Sequence, residues 1–412
     1  MVLVPDTAVR PRPVKGSPVH ARPPLWRRLL TWVRAHKIRS ALVAVFVLLS
    51  PILWSLGFAL SNPALGSSLP GRLAEWLRDH GASGLVVWAE NTYYSHHAPP
   101  VGGKPSKGAI PRLGTSSGSS ANSTVPHLAA PSPLAPFASP AIAGEGQWQP
   151  AGRRVDGLPA VYETFLRPDA VHTSVVTGVA WMDTKLLSAT LYSGATIPGD
   201  GPWVHSAPIP PVAASSLVAA FNSGFLMSNS NGGYYSEGKT PYPLKAGAAS
   251  FVIYRDGRAT VGQWDRDVTM TPDVVAVRQN LVLLVDGGQP VAGLNATDTT
   301  KWGYTLSNKV FVWRSGVGVT ADGALVYAGG PDLNIVDLAN VLAKAGAVRA
   351  MELDINTDWV NFSAYTPSDP TGLASGANGA TLVPGMSGGP GRYFAPYWAR
   401  DFITMSARPV AG

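Results

Sequence analysis

Hydrophobic and polar positions alternate through RAMELDINTDW, residues 349–359, where Met351, Leu353 and Ile355 fall between Glu352, Asp354 and Asn356. Residues two apart in an extended chain share a face, so the pattern predicts a strand with one apolar and one acidic face. Upstream, Ile335, Leu338 and Leu342 recur at helical spacing, Asp332 or Asn334 is placed to cap the start, and Gly346 ends the run. ALVYAGG, residues 324–330, reads as a strand before that helix. The unit is therefore strand, helix, strand, with the acids near the end of the last strand, where α/β sheets place their sites. On pattern alone, a half-exposed strand with a solvated acidic face explains the acids equally well.

The same reading carries through the C-terminal two thirds. GVAWMDTKLLSATLYSG holds two strands, and SFVIYRDGRATVGQW reads as a hairpin turning at Asp256 and Gly257. LVLLVDGGQPV forms another around residues 286–288, and VFVWRSGVGVTADGALVYAGG turns at residues 321–323. A second helix is predicted after Pro211, through VAASSLVAAF. The sum is an α/β domain of mixed α+β type, strand-rich with few helices, over residues 145–412.

The N-terminal third follows other rules. ALVAVFVLLSPILWSLGFAL, residues 41–60, carries no charge over 20 positions, enough to span a bilayer core of roughly 30 Å. Nine Lys or Arg against the single Asp6 precede its start in residues 1–40. The formal charge of +7 therefore sits in that tail, and the positive-inside rule keeps the tail cytoplasmic and the C-terminal domain outside. It is a topology signal and calls for no nucleic-acid partner. ALS at residues 59–61 loosely resembles a signal-peptidase site, but the apolar run exceeds the length usual for a cleaved leader. Residues 61–95 read as two short amphipathic helices broken at Gly81 and Gly84, and residues 96–144, rich in Pro, Ser, Ala and Gly, as a linker.

The chain contains no cysteine, which removes disulfides, cysteine zinc sites and cysteine nucleophiles together. An exported domain of that kind suits a bacterial envelope. GYYSEGKT, residues 233–240, spells a P-loop, but the prolines of PYPLKAG forbid the helix that would follow. GMSGG, residues 385–389, spells a nucleophile elbow, yet no histidine follows His205. The remaining chemistry belongs to carboxylates, amides and arginine. Candidates are the Glu352 and Asp354 pair, the Asn222-Ser223-Gly224 turn, and Arg314 on an apolar strand face, where it must form an ion pair or bind an anion. No loop has a recognisable calcium spacing, so no cofactor is expected, although two carboxylates leave a divalent cation open.

In order along the chain, VAWMDTKLLSATLYSG, FNSGF, WRSGVGVTADG and GAVRAMELDINTDW resemble the landmarks of the phosphodiester glycosidase family. The N-terminal anchor, EWLRDHG, the linker and GEGQWQP are similar to those of its membrane-anchored actinobacterial members. The resemblance implies hydrolysis of a sugar 1-phosphodiester in an envelope or exopolysaccharide glycan. It places Asp354 as the catalytic carboxylate and Arg314, Asn222 and Gly224 at the sugar and phosphate; Glu352, on the face of Asp354, is read beside them as a second catalytic carboxylate and Asn356 as a further substrate contact. The family's glycines after the aspartate are here Ile355, Asn356 and Thr357, and Glu352 stands where asparagine is usual. A non-catalytic protein that binds a glycan or phosphoglycan on the same fold is the alternative.

Overall fold

The computed structural model describes residues 32–62, 65, 68–82, 99–110, 125–297, 302, 310–369 and 371–409. Among the described residues, one helix, Lys37–Ser61, is long and apolar enough to cross a membrane, with Pro51 inside it. A shorter helix, Leu69–Asp79, follows. The second of the two expected amphipathic helices lies outside the described residues.

The rest is dominated by 18 strands: β1 Gln149–Val155, β2 Leu158–Leu166, β3 Thr177–Met182, β4 Leu187–Tyr192, β5 Leu217–Asn222, β6 Tyr234–Ser236, β7 Lys239–Tyr242, β8 Ala249–Tyr254 and β9 Ala259–Gln263, then β10 Val274–Gln279, β11 Leu283–Asp286, β12 Gln289–Pro290, β13 Val312–Thr320, β14 Leu325–Leu333, β15 Ala347–Ile355, β16 Phe362–Tyr365, β17 Gly379–Thr381 and β18 Phe402–Ala407. An eight-stranded sheet has the order β1-β2-β3-β14-β13-β15-β11-β12. Two five-stranded sheets have the orders β7-β6-β10-β8-β9 and β17-β16-β5-β18-β4. Neighbouring strands pair antiparallel, so β14 and β15, both flanking β13, run in the same direction.

The helix Ile335–Lys344 makes the crossover between those two strands. Asn334 caps it, accepting from the backbone N–H of Val336 and Asp337 at 2.8 and 2.9 Å, and Asp337 Oδ2 accepts back from the Asn334 N–H. Its apolar stripe, Leu338 and Leu342, packs with Trp181, Val326 and Ala350 on one face of the large sheet. Gly316 permits that approach, because a Cβ there would stand 2.8 Å from Leu342 Cδ1. The opposite face packs Val161, Met182, Tyr327, Met351 and Leu353 against Phe221, Phe251 and Phe362 of the smaller sheets. Both faces of the large sheet are thus covered, and every residue of β15 from Ala350 to Ile355 is buried.

One predicted element changes type. The helix expected after Pro211 is a single turn, Pro211–Ala214, and LVAAFN is strand β5, buried throughout. A strand buried on both faces has no alternation to separate it from a helix. The P-loop spelling is a hairpin, β6 to β7, turning through Glu237 and Gly238 at positive φ. Residues 125–144, linker by composition, lie on the domain: the Leu128 N–H donates to Asp183 Oδ2 at 2.7 Å, and Lys344 sits 4.3 Å over the Phe137 ring.

Candidate active site

β15 carries the site. Its pairing with β13 slips between Arg314 and Gly316: Arg314 faces Ile355 and Gly316 faces Glu352, leaving Leu353 and Asp354 opposite Ser315. This bulge interrupts the alternation that would keep Glu352 and Asp354 on one solvated face. Each carboxylate is buried beside its own arginine.

Glu352 Oε1 accepts from Arg314 Nη1 at 2.6 Å, and both side chains are essentially inaccessible. Arg314 also donates to the carbonyls of Leu333, at 3.1 Å, and Trp302, at 3.3 Å. Glu352 Oε2 is buried with no hydrogen-bond partner among the described residues. Burial outweighs Arg314 and pushes the Glu352 carboxyl up to about 7. A proton on Oε2 leaves Oε1 free to accept from Arg314.

Asp354 is 5% exposed. Oδ1 accepts from the Ile355 N–H at 2.9 Å, and Oδ2 lies 3.8 Å from Arg400 Nη1. Burial pushes this carboxyl up to about 7 as well, against the opposing charge of Arg400. Desolvation is the largest cause for both carboxyls, and repulsion from Asp354 is the smallest contributor at Glu352.

Asn222 ends β5 directly behind this strand end. Its Nδ2 donates to Ser315 Oγ and to the Ser223 carbonyl, both at 3.0 Å, and its Oδ1 accepts from the Tyr327 hydroxyl at 2.9 Å and the Asn361 N–H at 3.0 Å. Ser315 passes the connection on, donating to the Asp354 carbonyl at 2.7 Å, and the Asp354 N–H donates to the Ser223 carbonyl at 2.9 Å. The amide of Asn222 is thus fully engaged in holding β5, β13 and β15 together. Gly224 lets two further side chains approach the turn: a Cβ there would be 3.1 Å from both Arg278 Cζ and Asn280 Cγ. Asn280 Nδ2 in turn donates to the Glu352 carbonyl at 2.9 Å.

Asn356, partly exposed, adopts φ +97°. It stands among the positions where the sequence replaces expected glycines, and its backbone keeps a conformation that glycine adopts freely and asparagine tolerates better than most residues. Its carbonyl accepts from the N–H groups of Trp359 and Val360, both at 3.2 Å, closing the turn after Asp354.

Arg400 was missing from the sequence reading. It lies in WARDF, two residues before β18, and pairing of β18 with β5 brings it to Asp354. Its guanidinium lies 4.2 Å from the centroid of the Trp359 ring. The adjacent Asp401 holds Arg278, with 2.7 Å between Oδ2 and Nε. The signal was a charged pair inside an apolar run, which needs buried partners. Among the described residues, no group of three or more His, Asp or Glu converges in a way that would hold a metal ion.

Residues 215–354, from the approach to β5 through Asp354, match the profile of the phosphodiester glycosidase family. Among solved structures, the chain is similar to the catalytic domain of zebrafish N-acetylglucosamine-1-phosphodiester alpha-N-acetylglucosaminidase, auto-inhibited by its pro-peptide. Identity there is 16% and the TM-score 0.37, over 64% of this chain and 88% of that one. A hypothetical protein from Synechocystis shares 12% identity at a TM-score of 0.32, over 63% and 64% of the two chains. An exported protein of Burkholderia pseudomallei shares 14% at 0.32, over 56% and 74%. No curated protein matches.

Proposed function

We propose that this chain hydrolyses a sugar 1-phosphodiester at the anomeric C–O bond, in a glycan of the cell envelope. The observation that carries the reading is Asp354, a buried carboxyl beside a cation, at the strand end where the phosphodiester glycosidase match terminates. Its chemistry fits a phosphate leaving group. When the bond from C1 to oxygen breaks, the electron pair departs on a phosphate monoester whose second pKa is about 6, so little protonation is needed. One carboxylate then suffices where an ordinary glycoside needs two. Asp354 either bonds to C1 before water displaces it, or takes the proton from the water that attacks C1.

Glu352 and Arg314 act on this carboxylate through the backbone. Arg314 is tied by three hydrogen bonds to Glu352 and two carbonyls, so we assign it to positioning the strand end and not to the phosphate. Asn222 and Gly224 shape the same end from β5, and Asn356, the partly exposed member of the group, is the one we place against the sugar. The helix Lys37–Ser61 anchors the chain with its basic side in the cytoplasm, leaving the domain outside.

The test uses the full chain in detergent with a panel of sugar 1-phosphodiesters, assaying free reducing sugar. Asp354→Asn is expected to lower the rate by about a hundredfold or more. Binding of the glycan without release by the parent would instead support the non-catalytic reading.

A further inference from the structure

We infer that Arg400 is the cation of an oxyanion site that receives the phosphate of the substrate, an assignment that rests on the function proposed above. The buried arginines around β15 differ in how they spend their donors. Arg314 bonds Glu352 and the carbonyls of Leu333 and Trp302. Arg278 bonds Asp401 and the carbonyls of Gln279 and Phe225. Each is held as a structural cross-link by three hydrogen bonds to fixed partners.

Arg400 is 7% exposed and is arranged otherwise. Its Nη1 is buried with no hydrogen-bond partner among the described residues, and the Asp354 carboxylate at 3.8 Å is beyond hydrogen-bond length. A guanidinium N–H group taken out of water without a partner is costly, and that cost is recovered when an oxyanion completes the hydrogen bond. Trp359 holds the guanidinium by a cation–π contact, 4.2 Å from Cζ to the ring centroid, which uses none of its N–H groups. The Trp359 N–H is bonded to the Asn356 carbonyl at 3.2 Å, so one turn places both Asp354, which precedes it, and the arginine. A planar fork held beside the reacting carboxylate suits a tetrahedral phosphate oxyanion, bound through two parallel N–H donors. The phosphate that leaves C1 would then depart onto Arg400 while Asp354 acts on the carbon.

The test measures binding of inorganic phosphate to the full chain in detergent by calorimetry, with acetate at equal ionic strength as control. The parent is expected to bind phosphate and not acetate. Arg400→Gln is expected to weaken phosphate at least tenfold, with Arg400→Lys in between. Asp354→Asn is expected to tighten phosphate severalfold, because a competing negative charge is removed; a merely structural ion pair would give no such gain. Phosphate affinity unchanged in Arg400→Gln, or acetate bound as tightly as phosphate, would overturn the assignment. Since binding is read without turnover, a phosphate site that depends on Arg400 in a chain without hydrolysis sinks the hydrolase and keeps the site. Hydrolysis with phosphate binding indifferent to Arg400 does the reverse.

Discussion

Arg314 and Glu352 meet at 2.6 Å across neighbouring strands, both essentially inaccessible to water. Neither charge would stay in that place alone. Arg314→Met leaves a buried carboxyl without its cation, and loss of one partner of such a pair costs about 3–5 kcal/mol. Glu352 will take up a proton in response, which limits the loss. The double variant Arg314→Met with Glu352→Leu, apolar on both sides, is expected to recover most of the stability. Denaturant titration of the two single variants and the double one checks this; strictly additive losses would mean the pair is not coupled.

Tyr327 reaches across from β14 to hold Asn222 Oδ1 at 2.9 Å. Tyr327→Phe removes one buried hydrogen bond and leaves the Asn361 N–H as the remaining donor to that oxygen. The expected loss is about 1–2 kcal/mol. Because Asn222 also supports Ser315, and Ser315 the Asp354 carbonyl, turnover should fall by more than substrate affinity does. A KM-against-kcat comparison reads the difference, and an unchanged kcat would show that Asn222 does not steady Asp354.

Hairpins were legible in the sequence because their turns announce themselves: Asp256-Gly257, Gly287-Gly288 and Gly323 all fall between paired strands, with the glycines at positive φ. The helix before β15 was legible from its cap and stripe. LVAAFN was not, since burial on both faces of a strand erases the period on which the distinction rests. At the site, Glu352 and Asp354 stood out as acids in an apolar run, and Arg314 as a charge that needed a partner. Their separation onto two arginines depends on a one-residue slip between β13 and β15, which no local pattern encodes. Arg400 comes from the far end of the chain and meets Asp354 through the pairing of β18 with β5, a tertiary fact outside the reach of spacing rules.

Asn356 tests the backbone of the turn apart from its chemistry. At φ +97° a β-branched side chain is strained, and Asn356→Val is expected to cost about 1–3 kcal/mol. Asn356→Gly relieves the conformation while losing the bond from the Asp358 N–H to Asn356 Oδ1 at 3.2 Å, so its stability should stay within about 1 kcal/mol of the parent. Thermal melts of the two variants suffice. If the valine variant melts with the parent, the turn has relaxed and Asp354 does not depend on it.

The pH response follows from the two raised carboxyls. Asp354 acts as nucleophile or base only when ionised, and burial holds its pKa at about 7 against an ordinary 3.8. The rate should therefore rise with pH along an acid limb centred near 7. Glu352, also raised to about 7, titrates in the same range, so the limb belongs to the two groups together; Glu352→Gln should reduce it to a single ionisation. Stability moves the other way. Between about pH 4 and pH 7 the folded chain holds protons on these carboxyls that the unfolded chain has released, so their contribution is full below the unfolded values and is lost as pH rises through 7. The melting temperature is expected to fall from pH 5 to pH 8, and to fall less in Glu352→Gln. A rate that peaks near pH 5 would mean that Asp354 ionises far below 7, in a site wetter than this one, or that another group performs the chemistry.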